Sequence, residues 1–240
     1  MKSEYIEWPG LGRALLVRNP RARRISARWL APGELRLCVP VRATVAQIAA
    51  AMEQLAPRLL SRAPQPAATP CRPGTVIETT GLKITVESSP QAPPGGVALR
   101  GTIAQATLLI HPDADAASIA VARGITRLLM RLAAHRAPDV LLPMARATAG
   151  RLGVQPRRWA IGRGLRTLGT CSPSGTVTLS AALMFLPDEL REYIVCHELA
   201  HLTHMNHSAR FHALCDRYCG GREAALSAAL KAYRWPIPRL

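Results

Sequence analysis

Aromatic residues and lysine are both scarce in this chain, since aromatic residues make up 4% of its 240 residues and only three lysines occur. The basic charge is therefore almost entirely arginine, and 31 basic against 15 acidic residues give a net charge of +16. Such an excess attracts nucleic acids, nucleotides and acidic membrane surfaces. No motif in which aromatic and basic residues alternate accompanies the charge, so the composition favours solvated arginines over a dedicated nucleic-acid module.

Three features of exported or membrane-bound proteins are also missing. No run of 18 or more apolar residues is present, and the first residues lack the apolar segment of a signal peptide. The six cysteines follow no regular disulfide framework. Free thiols are typical of a reducing compartment, so we expect a cytoplasmic protein. Apolar residues at 48% exclude a disordered chain, and the length allows one large domain or two small ones.

Residues 1–112 are predicted to form an N-terminal β-rich region of antiparallel strands. Apolar and polar residues alternate from Arg23 to Trp29 and again over 34–39, as expected for strands with one solvent-exposed face. The basic side chains of this region are candidates for binding anions, namely Arg21, Arg23, Arg24 and Arg28. The alternative is that they form only the solvated side of a sheet.

One helix and a linker are predicted within this region. Thr44 is a suitable N-cap for a helix over 45–60, which Pro57 is expected to kink or shorten. The proline-rich stretch 63–74 predicts an extended linker. Apolar runs between 75 and 110, separated by glycine- and proline-containing turns, predict a second set of strands.

Residues 113–240 are predicted to form a second, mostly helical domain with a small sheet, which makes the fold class α+β. Asp113 or Asp115 is expected to cap a helix that runs to about His135. Pro138 is expected to separate it from another helix that ends at residue 152. Short strands are predicted at 157–161 and 176–179, followed by a helix that opens at Pro187.

A His-Glu-x-x-His motif lies in this last helix, at His197, Glu198 and His201. The two histidines are one helical turn apart on the same face, so both imidazoles reach one ion. Glu198 points about 100° away, which suits a base beside the metal. Incidental histidines on a surface helix are the alternative, and the apolar residues that flank the motif argue against it.

Two later histidines are candidates for the third ligand. His204 lies on the same helical face as His197, but its backbone is roughly 10 Å further along the axis, too far for convergence on one ion. His207 is better placed if the helix ends near Met205-Asn206 and Ser208 caps the next helix. His204 is then expected beside the ligands or on the substrate side.

Three neutral imidazoles leave one position of a tetrahedral zinc ion open for water, whose pKa falls to about 7. Glu198 is expected to act as general base on this metal-bound water and to hand the proton to the leaving group. A further group that stabilises an oxyanion is expected, and His204, Tyr193 and Arg166 are candidates. The motif therefore predicts a zinc-dependent hydrolase with one Zn²⁺ per chain.

The chain resembles the YgjP-like metallopeptidase family, whose zincin-type members are related to SprT-like proteins. The matching segments are Thr167-Leu168-Gly169-Thr170-Cys171, Gly175 with 176–180, His197-Glu198-Leu199-Ala200-His201-Leu202, His207, Phe211 and the arginine-rich stretch 19–26. Family members have Arg-Trp where this chain has Thr167-Leu168, and Ser at the position of Thr170. The metal positions of the family are all present.

The resemblance implies a zincin-like catalytic domain over 113–240, zinc as the cofactor and His207 as the third ligand. It implies a metallopeptidase acting on peptides. Members are also linked to nucleoside triphosphate hydrolysis, so a nucleotide pyrophosphatase is the alternative. A nucleic-acid-associated zinc protein with little or no turnover is a second alternative, for which the arginines around 21–28 predict salt-dependent DNA binding. No membrane partner is expected.

Overall fold

The computed structural model describes residues 4–31, 33–62, 70–115 and 118–238. The chain forms two compact units, the first containing residues 1–68 with residue 240 and the second containing residues 69–239. Helices and strands occur in both units, and the fold class is α+β as predicted. Within the described ranges, no helix has the length and hydropathy needed to span a membrane.

The first unit is a four-stranded sheet followed by one helix. Its strands are β1 (Glu4–Trp8), β2 (Gly12–Arg18), β3 (Ser26–Ala31) and β4 (Glu34–Val39), in the order β1-β2-β4-β3. Helix α1 covers Val45–Leu60, as predicted, and continues through Pro57. The Thr44 hydroxyl accepts a hydrogen bond from the Gln47 N–H, and the Gln47 side chain accepts one from the Thr44 N–H. This reciprocal cap fixes the start of the helix.

The second unit begins with a sheet of the same topology. Its strands are β5 (Val76–Thr79), β6 (Leu82–Ser88), β7 (Val97–Gly101) and β8 (Gln105–Ile110), in the order β5-β6-β8-β7. In both sheets the outer pairs are antiparallel and the central pair is parallel. The prediction of purely antiparallel strands was therefore wrong for β2–β4 and β6–β8. Alternation of side chains reveals a strand's faces but not the direction of its neighbour.

The compact units divide at residue 68, and the predicted boundary at residue 112 lies within the second unit. Ile84 of β6 and Leu108 of β8 belong to the same buried cluster as Leu129 of the following helix, so the second sheet shares the core of the helical region. Of the predicted linker 63–74, residues 63–69 lie outside the described residues.

Helix α2 runs uninterrupted from Ile119 to Leu152, with Ser118 as its N-cap and Gly153 as its left-handed C-cap. The predicted caps Asp113 and Asp115 precede it, and the predicted break at Pro138 is absent. A proline in a helix interior costs about 3 kcal/mol. Burial offsets this cost, because the apolar face of α2 continues past Pro138 through Leu141 and Ala145, both 0% exposed.

The remaining elements surround the motif helix. They are β9 (Arg158–Gly162), β10 (Gly169–Cys171), β11 (Thr176–Ser180), a 3-10 helix (Ala181–Phe185), α3 (Asp188–Ala200), α4 (Ala209–Tyr218) and α5 (Glu223–Ala232). The three strands form a sheet in the order β10-β11-β9, in which β10 is antiparallel and β9 parallel to β11. Strand β10 was not predicted from the sequence, because three residues are too few for an alternation pattern.

Buried contacts on several sides hold helix α3 in place. Val195 and Leu199 are 0% exposed, and so is the side chain of Arg191. Its guanidinium donates hydrogen bonds to the carbonyls of Leu183 and Met184 and is paired with Asp188. A buried charge is tolerated only when its donors are satisfied in this way. The first turns of α3 are therefore tied to the 3-10 helix, and the motif is presented from a rigid element.

Candidate metal centre

His197 and His201 lie at the C-terminal end of α3, with ring centroids 5.0 Å apart. Helix α3 ends at Ala200, and His201 is its C-cap. The predicted end near Met205-Asn206 was therefore too late. The Ala200 carbonyl accepts hydrogen bonds from the N–H groups of Thr203 and His204 in a tightened last turn. No described residue other than glycine has a positive φ, so Asn206 does not adopt the left-handed conformation that was expected.

His207 returns toward this helix end. Ser208 begins α4, where its hydroxyl accepts a hydrogen bond from the Phe211 N–H, as predicted. The His207 Nε2 lies 3.1 Å from the His197 Nε2. Ring nitrogens of His197, His201 and His207 all lie within 4.8 Å of one another. The chain thus brings three imidazoles together from a helix end and the loop that follows.

The spacing of these nitrogens fits a zinc ion. Tetrahedral zinc with Zn–N distances of about 2.1 Å separates two ligand nitrogens by about 3.4 Å. The observed 3.1 Å between His197 and His207 is within a few tenths of an ångström of this value. Three imidazoles without a thiolate, and with one position left for water, are the donor set of a catalytic rather than a structural zinc site.

The backbone carbonyl of His204 orients His201. The His201 Nδ1 lies 3.0 Å from this oxygen, so the Nδ1–H donates to it and the Nε2 retains its lone pair. His204 was predicted to lie beside the ligands, and it contacts His201 through its main chain. His204 itself is half-buried.

One buried aromatic ring packs against all three histidines. Phe211 of α4 is 0% exposed, and its ring stacks on His201 with a centroid distance of 4.4 Å. It meets His197 and His207 edge-on at 4.9 and 4.8 Å. This packing removes rotamer freedom that a metal would otherwise have to restrict.

Burial favours the neutral forms of His197 and His201. Burial, together with the neighbouring His201 and His207, lowers the pKa of His197 to about 4. Burial also lowers the pKa of His201, against the opposing effect of its hydrogen bond to the His204 carbonyl. Metal ligands must be deprotonated, so the site offers lone pairs at neutral pH.

Glu198, which follows His197 in the chain, occupies an enclosed position against Gly169 of β10. Its side chain is buried, and this burial raises the pKa of its carboxyl to about 7. A Cβ placed on Gly169 of β10 would lie 2.5 Å from the Glu198 Cγ, so the glycine leaves the space that the carboxylate fills. Cys171 of the same strand is close enough for Glu198 to contribute to the raised pKa of its thiol, after burial.

Replacement of the buried carboxyl is expected to stabilise the metal-free protein above neutral pH. The folded-state pKa of Glu198 exceeds its ordinary value of 4.5, so folding favours the protonated form and stability is lost as the pH rises from about 4.5 to about 7. Glu198→Gln removes this loss, which amounts to about 3 kcal/mol near pH 8.

Urea unfolding in the presence of a chelator measures this difference. Wild type and Glu198→Gln should have nearly equal free energies of unfolding near pH 4 and diverge above it. Titration of the histidines affects both proteins alike and cancels in the difference. A pH-independent difference between the two proteins would contradict the expectation.

Among the other predicted site residues, Tyr193 is 6% exposed, and its ring centroid lies 6.2 Å from that of His197. Arg166 is exposed in the loop that leads into β10. The four candidate anion-binding arginines belong to the first unit and are exposed, three of them before β3 and Arg28 within it.

Sequence reasoning missed two features of the centre. The requirement for glycine at 169 is visible only when β10 is placed against Glu198. Cys215 and Glu223 also approach a ring nitrogen of His197, with ligand atoms within 4.8 Å of one another. Glu223 is also paired with His212 at 2.8 Å. These residues come from α4 and α5, and no local sequence signal links them to the motif.

Comparisons with known proteins identify the family of this chain. No match was found among curated proteins. Among solved structures, the crystal structure of the metallopeptidase zymogen of Pyrococcus abyssi abylysin is 26% identical, with a TM-score of 0.35. That similarity covers 39% of this chain and 93% of the other. The model of the YgjP-like metallopeptidase domain matches residues 23–232. The predicted resemblance is confirmed, and because this match spans most of the sequence, the chain belongs to the YgjP-like metallopeptidase family.

Proposed function

We propose that this protein is a zinc-dependent peptidase. His197, His201 and His207 would hold one zinc ion per chain, and Glu198 would act as the general base. The observation that carries the proposal is the convergence of three imidazoles, with the buried Glu198, whose pKa is raised, next to His197 in the chain. Groups with such perturbed pKa values in one site are typical of catalytic centres.

A zinc ion bound there supplies a Lewis acid that lowers the pKa of water and polarises a carbonyl oxygen. Glu198 accepts a proton from the attacking water on its carboxylate and returns it to the leaving amine. Burial raises the pKa of Glu198 in the metal-free protein, and the charge of a bound zinc ion would lower it and favour the ionised carboxylate that a general base needs. The enclosure formed by Gly169 keeps the carboxylate from turning into solvent.

The open edge of β10 favours a peptide as the substrate. The Leu168 carbonyl accepts a hydrogen bond from the Ser180 N–H, and the Ser172 N–H donates to the Thr176 carbonyl. By this alternation, the backbone groups of Gly169 and Cys171 point away from β11. In the described part of the chain they pair with no other strand. An extended peptide added to this edge would pass beside Glu198.

Gly169→Ala is expected to lower peptide hydrolysis about 100-fold while zinc is retained. The added Cβ would displace the Glu198 carboxylate, and a displacement of about 1 Å is enough for such a loss of activity. The three atoms nearest to the new methyl group all belong to Glu198 and none to a histidine ligand. Zinc content, kcat/KM and the free energy of unfolding measure the effects, and the stability loss should be about 1–3 kcal/mol.

Gly150→Ala is the matched control for this substitution. A Cβ at Gly150 meets nothing within 4 Å, and a helical glycine replaced by alanine gains up to about 1 kcal/mol. Its kcat/KM should equal that of wild type. Full activity of Gly169→Ala would contradict the assigned position of the base.

We propose Arg166 or His204 as the group that stabilises the oxyanion. Arg166 is exposed on the loop that enters β10, and the ring of His204 is half-exposed beside the helix end. Tyr193 is the weakest of the three candidates, because it is 6% exposed and therefore the least accessible to a substrate. Single alanine variants of the three residues, assayed for kcat at unchanged zinc content, rank these candidates.

A panel of peptides and nucleoside triphosphates tests the proposal. Wild type with measured zinc content should cleave peptides, and a chelator should abolish the activity. Release of phosphate or pyrophosphate from nucleotides without peptide cleavage would replace the peptidase proposal by nucleotide hydrolysis. If the protein binds zinc but hydrolyses neither peptides nor nucleotides, it would be a zinc-binding module without catalytic activity.

We also propose that the protein works in the cytoplasm. All six cysteines are free thiols. Cys196 and Cys219 are buried and interact through their side chains without a covalent bond. Persistent free thiols are typical of a reducing compartment.

A further inference from the structure

A depression of about 340 Å³ lies in the first unit, between the edge strand β3 and the C-terminal end of α1. Its lining combines cationic, aromatic and aliphatic side chains, namely Ala27, Arg28, Trp29, Leu55, Arg58, Leu59 and Arg62. The volume is at the lower end of the range for ligand pockets in proteins, which is about 300–1,000 Å³. The metal motif lies entirely in the second unit, so this depression is a separate feature.

The charge around the depression is uncompensated. Arg28, Arg58 and Arg62 are exposed, and none forms an ion pair with another described residue. Arg28 is directly opposite Arg36 in the register of β3 and β4, and like charges at such positions are destabilising. Residues 1–68 contain eleven basic and four acidic residues, a net charge of +7. An anionic ligand would relieve this repulsion.

Trp29 is held rigidly at the wall of the depression. Its indole Nε1–H donates a hydrogen bond of 2.9 Å to the Leu59 carbonyl at the end of α1. The ring is half-buried and packs against the apolar core of the first unit. A flat ring that is already fixed loses little conformational entropy when a planar group stacks on it. An inorganic anion would use the arginines but would gain nothing from this ring.

We propose that this depression binds a nucleoside phosphate, either as a free nucleotide or as one unit of a single-stranded nucleic acid. The guanidinium groups of Arg28, Arg58 and Arg62 contact phosphate oxygens, and the base packs against Trp29 and the neighbouring leucines. The volume accommodates one nucleotide rather than a duplex groove. This inference is independent of the proposed peptidase activity.

Binding of a fluorescent single-stranded oligonucleotide to the full chain, followed by anisotropy at several salt concentrations, tests the inference. Three phosphate contacts predict a slope of log K against log salt of about −2. The triple variant R28Q/R58Q/R62Q should lose most of this slope and bind at least about 30-fold more weakly. Trp29→Leu should weaken binding about tenfold, and Trp29→Phe, which keeps a ring, should weaken it much less.

The matched control is R127Q/R131Q/R146Q, which removes the same charge from exposed positions on α2. It should leave binding nearly unchanged, and equal loss in both triple variants would overturn the inference. Zinc content and far-ultraviolet circular dichroism verify folding.

Adenosine monophosphate should compete with the oligonucleotide for the depression. Comparison of the two affinities shows whether the preferred ligand is a free nucleotide or a single-stranded nucleic acid. Equal competition by tripolyphosphate or polyglutamate would show a general anion surface and overturn the assignment.

Discussion

Glu198→Gln is expected to bind zinc like wild type and to cleave peptides about 10²–10⁴-fold more slowly. Glutamine preserves the shape of the side chain in the space beside Gly169, so the imidazole triad is not disturbed. The amide has no basic oxygen that accepts a proton near neutral pH, and the attacking water therefore stays protonated. The loss should appear in kcat and in kcat/KM equally, because a proton transferred only in the transition state contributes little to substrate binding.

The matched control for this substitution is Glu192→Gln in the same helix. Glu192 is half-exposed and is paired with Arg151 across the surface. Loss of such a pair costs about 0–1 kcal/mol of stability and removes no group from the site. Its kcat should match that of wild type. Undiminished peptide cleavage by Glu198→Gln would exclude Glu198 as the general base.

His207→Ala is expected to weaken zinc binding by more than about 100-fold, whereas His204→Ala should leave it nearly unchanged. Removal of a partner that only orients a ligand already costs about 10–100-fold, so the loss of a ligand exceeds that range. His204 contacts His201 through its main-chain carbonyl, which alanine retains. His207 contributes a ring nitrogen 3.1 Å from that of His197, which alanine removes.

Competition with a chromophoric chelator measures both affinities directly. Zinc should also raise the melting temperature of His204→Ala as much as that of wild type, and that of His207→Ala much less. His201→Ala, which removes a ligand from the helix itself, provides the reference for complete loss. If His204→Ala weakened zinc binding more than His207→Ala, His204 would be the third zinc ligand and the loop after α3 would have to rearrange.

The local elements were predictable where short-range rules determine them. The helix over 45–60 follows from its apolar spacing and from Thr44 as N-cap, and the start of α4 follows from Ser208. The spacing of His197 and His201 places both imidazoles on one face without any tertiary information. Helical rise disfavoured His204 as a ligand, and the structure brings the His207 ring to His197.

The errors arose where distant contacts outweigh local preferences. Pro138 does not interrupt α2, because buried residues on both sides of it pack in the same core. The parallel pairing of β2 with β4 depends on how two hairpins meet, and neither strand's sequence encodes it. The second sheet joins the core of α2 through contacts between residues distant in sequence, which apolar runs alone do not reveal.

The sequence by itself determined the chemistry of the motif: two histidines on one helical turn, a carboxylate beside them and a third histidine after a helix end. Only the tertiary structure decided the pKa values of these groups and the space that they occupy. The raised pKa of Glu198 depends on burial, and the space for its carboxylate depends on Gly169 in a strand distant in sequence. The depression beside Trp29 likewise exists because α1 ends against the edge of β3. Desolvation and packing are sums over many distant atoms, and a local sequence pattern contains no record of them.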